Sequence, residues 1–161
     1  MQNLINQEAV LENNWTIIND ESGDFTQKNI MIPANYWLEN QEEFAGRDDV
    51  SIWLAGDVDL SNFKGLLTQF PVIGVNFPAF ADGRGYSLAR LLTEREMFTG
   101  ELRAIGDVLI DQLFFMKRCG FTSYLLKDGI DGQKALNYFS TFKDPYQLAA
   151  DIKEPLFRRK A

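Results

Sequence analysis

Between residues 50 and 142 the sequence repeats one pattern four times: a short apolar run, a turn rich in glycine or aspartate, and a segment with apolar residues at helical spacing. We predict strands for the four apolar runs, which span residues 50–55, 72–77, 101–105 and 121–126. Successive strand–helix units lie with their strands parallel, because right-handed crossovers place each helix beside the sheet. The pattern therefore predicts an α/β fold built from four successive βα units around a parallel sheet.

The two faces of the predicted strands differ in polarity. One alternating set is apolar and includes Ile52, Ile73 and Val75, whereas the other set is mixed and includes Asn76 and Arg103. Strands of a doubly wound sheet are buried on both faces and are almost continuously apolar. The mixed set therefore favours a partial (β/α) barrel, with a doubly wound, flavodoxin-like sheet as the alternative. Four units are half of a full barrel, so the N-terminal segment or a second subunit would have to cover the remaining face.

The chain has 161 residues, the size of one domain with its own core. We predict a single α/β domain over residues 1–161. Its expected parts are N-terminal strands with a short helix over residues 1–49, the βα repeats over residues 50–143, and a C-terminal tail over residues 144–161.

The N-terminal part differs from the rest in pattern and in charge. Residues 15–18 and 29–32 are rich in β-branched and aromatic side chains and flank the turn-forming sequence NDESGD, which predicts a hairpin or a pair of edge strands. Residues 1–60 hold 12 acids and 2 bases, whereas residues 61–161 hold 11 acids and 14 bases, for a net charge of −7. Because nucleic-acid binding depends on neutralising phosphates, this balance predicts no nucleic-acid partner.

Two absences in the sequence restrict location and chemistry. No apolar run approaches the ~20 residues of a membrane span, and the polar start MQNLINQEAV lacks the features of a signal peptide, so we expect a cytoplasmic protein without a membrane partner. The chain has no histidine and one cysteine, Cys119, which excludes disulfides, cysteine-based zinc sites, protein-ligated iron–sulfur clusters and Ser-His or Cys-His catalysis within one chain. We expect no metal site; carboxylates, Lys, Arg, Tyr, Ser, backbone amides or an organic cofactor such as a flavin remain.

Functional groups of parallel α/β folds collect at the carboxyl ends of the strands. The residues predicted at or near those ends that could bind an anionic or polar small molecule are Asn76, Asp82, Gly83, Arg84, Gly85, Arg103, Asp107 and Lys127. The sharpest local feature among them is the segment ADGRGYS at residues 81–87. Its glycines permit a close backbone approach, and the following helix start together with Arg84 could bind an oxyanion such as phosphate, sulfate or sulfite.

Several of these candidates have an equally good structural interpretation. Asp82 could cap the helix that follows a glycine turn, and Asp107 could cap the helix that contains VLIDQL. Arg103 lies inside a strand and needs a partner, which is either a ligand or Glu101 on the same strand face. Phe115 lies on the polar side of its helix and indicates either an interface or a singly exposed aromatic.

The runs FPAFADGRGYSLARLL and TGELRAIGDVLIDQLFFMKRCGF resemble the bacterial domain-of-unknown-function family nine-three-four. The resemblance covers residues 53–121 and continues loosely to FSTFKDPYQ. Members of that family are usually encoded beside assimilatory sulfite reductase and are often labelled as oxidoreductases of sulfite reduction. The resemblance implies an accessory protein of sulfate assimilation and cysteine biosynthesis, with sulfite reductase as its partner, but it carries over no catalytic residues. The alternative is a small-molecule enzyme or an anion- or flavin-binding protein with its site at the strand ends.

Overall fold

A computed structural model describes residues 3–79 and 81–140, and within them eight strands form one sheet. The strands are β1 (Asn3–Ile5), β2 (Val10–Leu11), β3 (Thr16–Ile17), β4 (Ile30–Pro33), β5 (Val50–Leu54), β6 (Val72–Phe77), β7 (Glu101–Gly106) and β8 (Ser123–Leu126). The α-helices of this part of the chain are α1 (Ala34–Glu39), α2 (Arg84–Arg90), α3 (Leu113–Cys119) and α4 (Gly132–Ala135). Shorter 3-10 turns cover Leu60–Phe63, Leu67–Gln69, Ile110–Gln112 and Leu136–Ser140, and a π-helical turn, Leu91–Arg95, extends α2. The predicted tail at residues 144–161 lies outside the described residues.

The mixed α/β fold predicted from the sequence is confirmed, with a sheet in the order β2-β1-β8-β7-β6-β5-β4-β3. From β3 to β8 each strand pairs in parallel with the next strand along the chain. The order of these strands never reverses, unlike that of a doubly wound sheet. Helical residues such as Trp37, Leu88 and Met116 join one core cluster, and none of the described helices contributes to the cluster on the opposite face. The helices therefore pack on one side of the sheet.

The N-terminal strands differ from the prediction. Strands β3 and β4 form where residues 15–18 and 29–32 predicted strands, but they pair in parallel, so the predicted hairpin is wrong, and β4 lies inside the sheet rather than at an edge. The connection of about a dozen residues between them is long enough for a crossover, which a parallel pair requires. A hairpin does occur earlier, between β1 and β2. Strand β1 also pairs antiparallel with β8 on its other side.

Chain length forces this sheet to curl into a half-barrel. Strands β2 and β3 lie at opposite edges of the sheet, yet only residues 12–15 connect them. That connection spans at most about 18 Å. Eight strands in a flat sheet would place the outer two about 34 Å apart, at ~4.8 Å per strand. The edges must therefore approach each other. The face without helices is the concave one, because on that face Ile17 of the edge strand β3 packs in one cluster with Ile105 of β7 and Leu125 of β8.

The N-terminal segment, one of the two alternatives left open by the sequence, fills the concave face. The apolar cluster on this face consists of sheet residues. Trp15 and Ile17 of the N-terminal segment, together with Trp53 of β5, pack against it. The sheet residues of this cluster are Leu4, Met31, Val72, Ile105 and Leu125. The indole Nε1 of Trp53 donates a 2.9 Å hydrogen bond to the carbonyl oxygen of Ile18, which satisfies the polar atom of a side chain in this interior.

One predicted helix is not an α-helix. The segment after β5 forms two 3-10 turns, Leu60–Phe63 and Leu67–Gln69, and Gly65 between them has a φ of 77°. That left-handed conformation breaks the helical hydrogen-bond ladder and favours glycine. Leu60, Phe63 and Leu67 are nevertheless buried, so the apolar spacing correctly marks which side chains face the core. No described helix is both long enough and apolar enough to cross a membrane.

Candidate functional site

A cavity of about 370 Å³ opens at the carboxyl ends of β6, β7 and β8. Its wall is apolar toward the sheet interior, where Ile17, Ile105 and Leu125 line it. Polar groups at its rim come from four segments that are distant in sequence: Asn19, Asn76, Lys127 with Asp128, and the backbone of Gly106. An apolar wall with a few converging polar groups is the usual composition of a small-molecule site, and the carboxyl ends of parallel strands are its usual place.

Asn76 enters the cavity from the end of β6, on the concave face beside Ile105. Its side chain lies against Gly106 of the neighbouring strand: a Cβ at position 106 would come 2.5 Å from Oδ1 of Asn76 and 2.4 Å from the carbonyl oxygen of Phe77. Gly106 also has a φ of 90°, a backbone conformation that residues other than glycine rarely adopt. Among residues 3–79 and 81–140, no hydrogen bond engages the Asn76 amide group. The amide therefore keeps its donors and acceptor available to a ligand.

An ion pair joins the loops that follow β7 and β8. Nζ of Lys127 lies 2.5 Å from Oδ1 of Asp107, with side-chain exposures of 57% and 20%. Backbone bonds reinforce the contact, since Asp107 N–H donates to the Phe77 carbonyl at 2.7 Å and Lys127 N–H donates to the Val108 carbonyl at 3.1 Å. The helical turn after β7 begins at Ile110, so Asp107 does not act as its cap. The ion pair holds the Lys127 side chain, which belongs to a residue of the cavity wall, against the loop that follows β7.

Arg103 lies in the sheet interior and not among the residues that line the cavity. Its side chain is buried, at 3% exposure, and donates from Nε and Nη2 to Oε1 of Glu101 at 2.9 and 2.8 Å. Nη1 donates to Oδ1 of Asn13 at 2.9 Å, and the hydroxyl of Ser123 donates to the same Glu101 oxygen. The buried charge is therefore satisfied by protein groups, which matches the structural alternative that the sequence offered.

The segment ADGRGYS lies at the start of α2, away from the cavity. Nη2 and Nε of Arg84 pair with the two carboxylate oxygens of Asp82 at 2.7 and 3.0 Å, and the backbone N–H of Arg84 donates to the same carboxylate at 3.1 Å. The Arg84 guanidinium, followed by that backbone N–H, lowers the pKa of Asp82 to about 2. The same contact raises the pKa of Arg84. The Arg84 guanidinium, for which the sequence predicted an oxyanion ligand, therefore pairs with Asp82.

The two glycines of this segment have different surroundings. A Cβ on Gly85 would come 2.6 Å from the ring of Phe77, a core side chain, whereas a Cβ on Gly83 would meet nothing within 4 Å. Gly85 therefore lets α2 pack closely on β6. Close helix packing, rather than approach to a ligand, accounts for this glycine.

The structure separates the eight predicted site residues into three groups. Asn76 and Lys127 line the cavity with Asp107 paired behind Lys127, Arg103 lies in the sheet interior, and Asp82, Gly83, Arg84 and Gly85 lie together at the start of α2. Asn19, Gly106 and Asp128, which are not among these eight residues, also line the cavity. Gly106 directly follows one predicted strand and Asp128 lies two residues after another, so both are at the strand ends where sites are expected. Asn19 has no such signal, because only the curl of the sheet brings it to the rim.

No cluster of three or more His, Cys, Asp or Glu side chains suited to a metal ion occurs in the described part of the chain. A family model described as "Bacterial protein of unknown function (DUF934)" matches residues 51–157. No curated protein and no solved structure matches the chain. The family match covers more than half of the 161 residues and includes β5 to β8 with the cavity residues that they carry. The chain is therefore a member of this bacterial family of unknown function.

Proposed function

We propose that this protein is an accessory protein of assimilatory sulfite reduction that binds a small polar ligand in the cavity at the strand ends. The observation that carries the binding step is that Asn76 and Lys127, from the ends of two different strands, both line this cavity. The pathway rests on family membership, because the family is usually encoded beside assimilatory sulfite reductase. The protein would act in the cytoplasm, on the route from sulfate to cysteine, with sulfite reductase as its partner.

Charge at the cavity favours a ligand with at most one negative charge. Lys127 contributes one positive charge, which Asp107 at 2.5 Å already compensates, and Asp128 adds a second carboxylate to the rim. A doubly charged anion such as sulfate would face two carboxylates and one lysine. A singly charged oxyanion or a carboxylate can accept hydrogen bonds from the lysine ammonium and the Asn76 amide at a smaller electrostatic cost.

The size of the cavity supports a small metabolite. A volume of about 370 Å³ lies at the low end of the range of ligand pockets, which extends from ~300 to ~1,000 Å³. A flavin is therefore a less suitable ligand than a small oxyanion. The chain also contains no histidine and one cysteine, fewer thiolates than an iron–sulfur cluster requires, which supports an accessory role in which the reductase carries the electrons.

Growth of a deletion strain tests the pathway assignment. We expect the strain to grow poorly on sulfate or sulfite and normally on cysteine. The intact gene should restore growth, and so should an Arg84→Gln variant, whose altered side chain lies outside the cavity. An Asn76→Leu variant should fail to restore growth, because leucine removes the amide without a large change in volume. Normal growth of the deletion strain on sulfate would contradict the assignment.

Thermal unfolding in the presence of small anions tests the binding step separately. We expect bisulfite, the singly charged form of sulfite in mildly acidic buffer, to raise the unfolding temperature of the wild-type protein, and sulfate to raise it less. The Asn76→Leu variant should lose this response while Arg84→Gln retains it. A response that is weaker in Arg84→Gln than in Asn76→Leu, or equal in both, would place binding elsewhere.

A second candidate function is catalysis on a small molecule in the same cavity. Lys127 and Asp128 are adjacent at the rim, and both side chains can transfer protons. Conversion of a bound compound, detected by mass spectrometry with wild-type protein and absent with Lys127→Met, would favour the enzyme. Binding without conversion would favour the accessory role.

A further inference from the structure

A second cavity, of about 490 Å³, lies on the helical side of the sheet. Residues 58–61 and Lys64, from the connection between β5 and β6, form one of its walls. Leu91, Arg95 and Glu96, from the π-helical turn that extends α2, form the other wall. None of these residues lines the cavity at the strand ends, so the two cavities are separate.

The second cavity lies where a helix predicted from the sequence does not form. A Cβ on Gly56 of the β5–β6 connection would come 2.8 Å from the Cβ of Arg84, so this connection runs beside α2. The connection forms two short 3-10 turns instead of an α-helix. A 3-10 turn is tighter than an α-helix and fills less width. Open space therefore remains beside the turn Leu91–Arg95.

The wall that contains Arg95 has an irregular backbone. In its π-helical turn the N–H of Glu96 donates to the carbonyl oxygen of Leu91 at 3.0 Å. The next residue, Met97, has a φ of 53°, a left-handed conformation that is unfavourable for residues other than glycine. Both π-helical turns and strained residues of this kind occur frequently at functional sites. The backbone of this wall therefore supports a binding role for the cavity.

Two positively charged residues line this cavity, Lys64 from one wall and Arg95 from the other. Within residues 3–79 and 81–140, neither side chain forms an ion pair or a hydrogen bond. Arg90, five residues before Arg95, differs from both, because its guanidinium pairs with Glu94 at 3.0 Å. Lys64 and Arg95 are therefore available to a negatively charged ligand.

Two acidic residues of the lining limit the charge of that ligand. The carboxylate of Asp59 accepts a 3.0 Å hydrogen bond from the N–H of Ser61 and so caps the turn Leu60–Phe63. Glu96 follows Arg95 directly and also lines the cavity. An anion with one negative charge meets less repulsion from these two carboxylates than a dianion does.

We propose that this cavity binds an organic acid with one carboxylate and a short apolar chain. The ligand carboxylate pairs with Lys64 and with Arg95, whose planar guanidinium can donate two parallel hydrogen bonds to it. The apolar chain lies on Val58, Leu60 and Leu91, which supply the apolar part of the lining. A volume of about 490 Å³ is within the range of ligand pockets, ~300 to ~1,000 Å³.

Isothermal titration calorimetry of the full chain with hexanoate tests the proposal. We expect hexanoate to bind, and 1-hexanol, which has the same chain without the charge, to bind at least about tenfold more weakly. Lys64→Gln and Arg95→Gln should each weaken hexanoate binding at least about tenfold, because each removes a charged hydrogen-bond donor. Lys28→Gln is the matched control, since Lys28 is exposed and lies outside the cavity, and it should bind like the wild type.

A bulky substitution tests the position of the ligand without a change in charge. Ser61→Trp should abolish hexanoate binding, because Ser61 is an exposed residue of the cavity wall and an indole there occupies the space of the ligand. Thr68→Trp is its control, since Thr68 is exposed on the neighbouring 3-10 turn and lies outside the cavity. Circular dichroism and thermal unfolding identify any variant that misfolds, and Ser61→Phe replaces Ser61→Trp if the latter does not fold.

Absence of hexanoate binding to the wild-type protein at about 10 mM would overturn the proposal. So would equal binding of hexanoate and 1-hexanol, or binding that Arg95→Gln and Ser61→Trp leave unchanged. Hexanoate binding that Lys127→Met abolishes and Arg95→Gln retains would belong to the cavity at the strand ends and would also overturn it. The proposal does not depend on the function of that other cavity, since Lys64, Arg95 and Ser61 lie outside it.

Discussion

The guanidinium of Arg103 donates a 2.9 Å hydrogen bond to the side-chain oxygen of Asn13, which lies 90 residues earlier in the chain. Asn13 belongs to the short segment that connects the two edges of the curled sheet, and Arg103 lies in the central strand β7. The contact therefore fixes the N-terminal segment to the interior that it fills. Because the same guanidinium also pairs with Glu101, one buried arginine joins the sheet and the segment that closes it.

Arg103→Met should lower the free energy of unfolding by about 2–4 kcal/mol, since it leaves Glu101 and Asn13 without their buried partner. Asn13→Ala removes one hydrogen bond and should cost about 1 kcal/mol. Urea unfolding measures both values. Arg90→Met is a matched control, because Arg90 pairs with Glu94 on the surface at 3.0 Å, and it should change stability by less than ~0.5 kcal/mol. Equal losses in the two arginine variants would contradict the role assigned to Arg103.

Gly106→Ala should destabilise the protein and also disturb the cavity. Alanine at a φ of 90° is strained, and its Cβ would come within 2.5 Å of Asn76 and Phe77 backbone or side-chain atoms. Gly65→Ala is the control, since Gly65 has a φ of 77° but an added Cβ would meet nothing within 4 Å. We expect Gly106→Ala to cost about 1–3 kcal/mol more than Gly65→Ala and to weaken the thermal response to bisulfite. Similar costs for the two substitutions would show that the close contact is not energetically important.

Gly85→Ala should destabilise the protein and Gly83→Ala should not, although the two glycines are only two residues apart. At position 85 the added Cβ would meet the buried Phe77 ring at 2.6 Å, so we expect a loss of about 1–3 kcal/mol from overpacking. At position 83 the added Cβ meets nothing within 4 Å, and the φ of −85° is accessible to alanine. Thermal unfolding of Gly83→Ala should therefore resemble that of the wild type. A larger loss at position 83 would contradict the packing role of Gly85.

The Asp82–Arg84 pair should make stability depend on pH in the acidic range. The pKa of Asp82 is lowered from 3.8 to about 2 by hydrogen bonds from the Arg84 guanidinium and backbone. A carboxyl group with a lowered pKa in the folded state stabilises that state above its unfolded pKa, and the stabilisation is lost as the pH falls through the folded value. At neutral pH Asp82→Asn should thus unfold at a lower temperature than the wild type, and the difference should shrink between about pH 4 and about pH 2. A difference that is constant over this window would contradict the ion-paired state of Asp82.

Lys127→Met should separate ligand binding from stability. The Lys127 side chain is 57% exposed, so loss of its ion pair with Asp107 should change the free energy of unfolding by less than ~1 kcal/mol. The thermal stabilisation by bisulfite should disappear, because the ammonium at the cavity rim is lost. Lys134→Met should retain this stabilisation, since Lys134 lies on α4 and pairs at 4.0 Å with Asp131 on the surface. An unchanged response to bisulfite in Lys127→Met would exclude Lys127 from the binding site.

The local pattern of the sequence determined the central part of the fold. Alternation of polar and apolar residues depends on the two-residue period of a strand, so it located β5, β6, β7 and the core of β8 within one or two residues. The mixed composition of one strand face, with Asn76 and Arg103, also predicted a sheet whose two faces differ. The motifs were sufficient to identify the family. The rule that sites lie at strand ends singled out Asn76 and Lys127, which both line the cavity.

Tertiary structure alone decided the remaining features. Strands of two or three residues, such as β2 and β3, are too short to carry a period, and their pairing depends on how the sheet curls. Whether Arg103 meets a ligand or Asn13 depends on the packing of segments 90 residues apart, which no local pattern encodes. Whether Arg84 is available or engaged by Asp82 depends on the conformation of the turn before α2. The sequence determined which residues belong to strands and which face each side chain shares, because those properties repeat along the chain. Long-range packing decided which distant segments meet, as Arg103 and Asn13 do across 90 residues of the sequence.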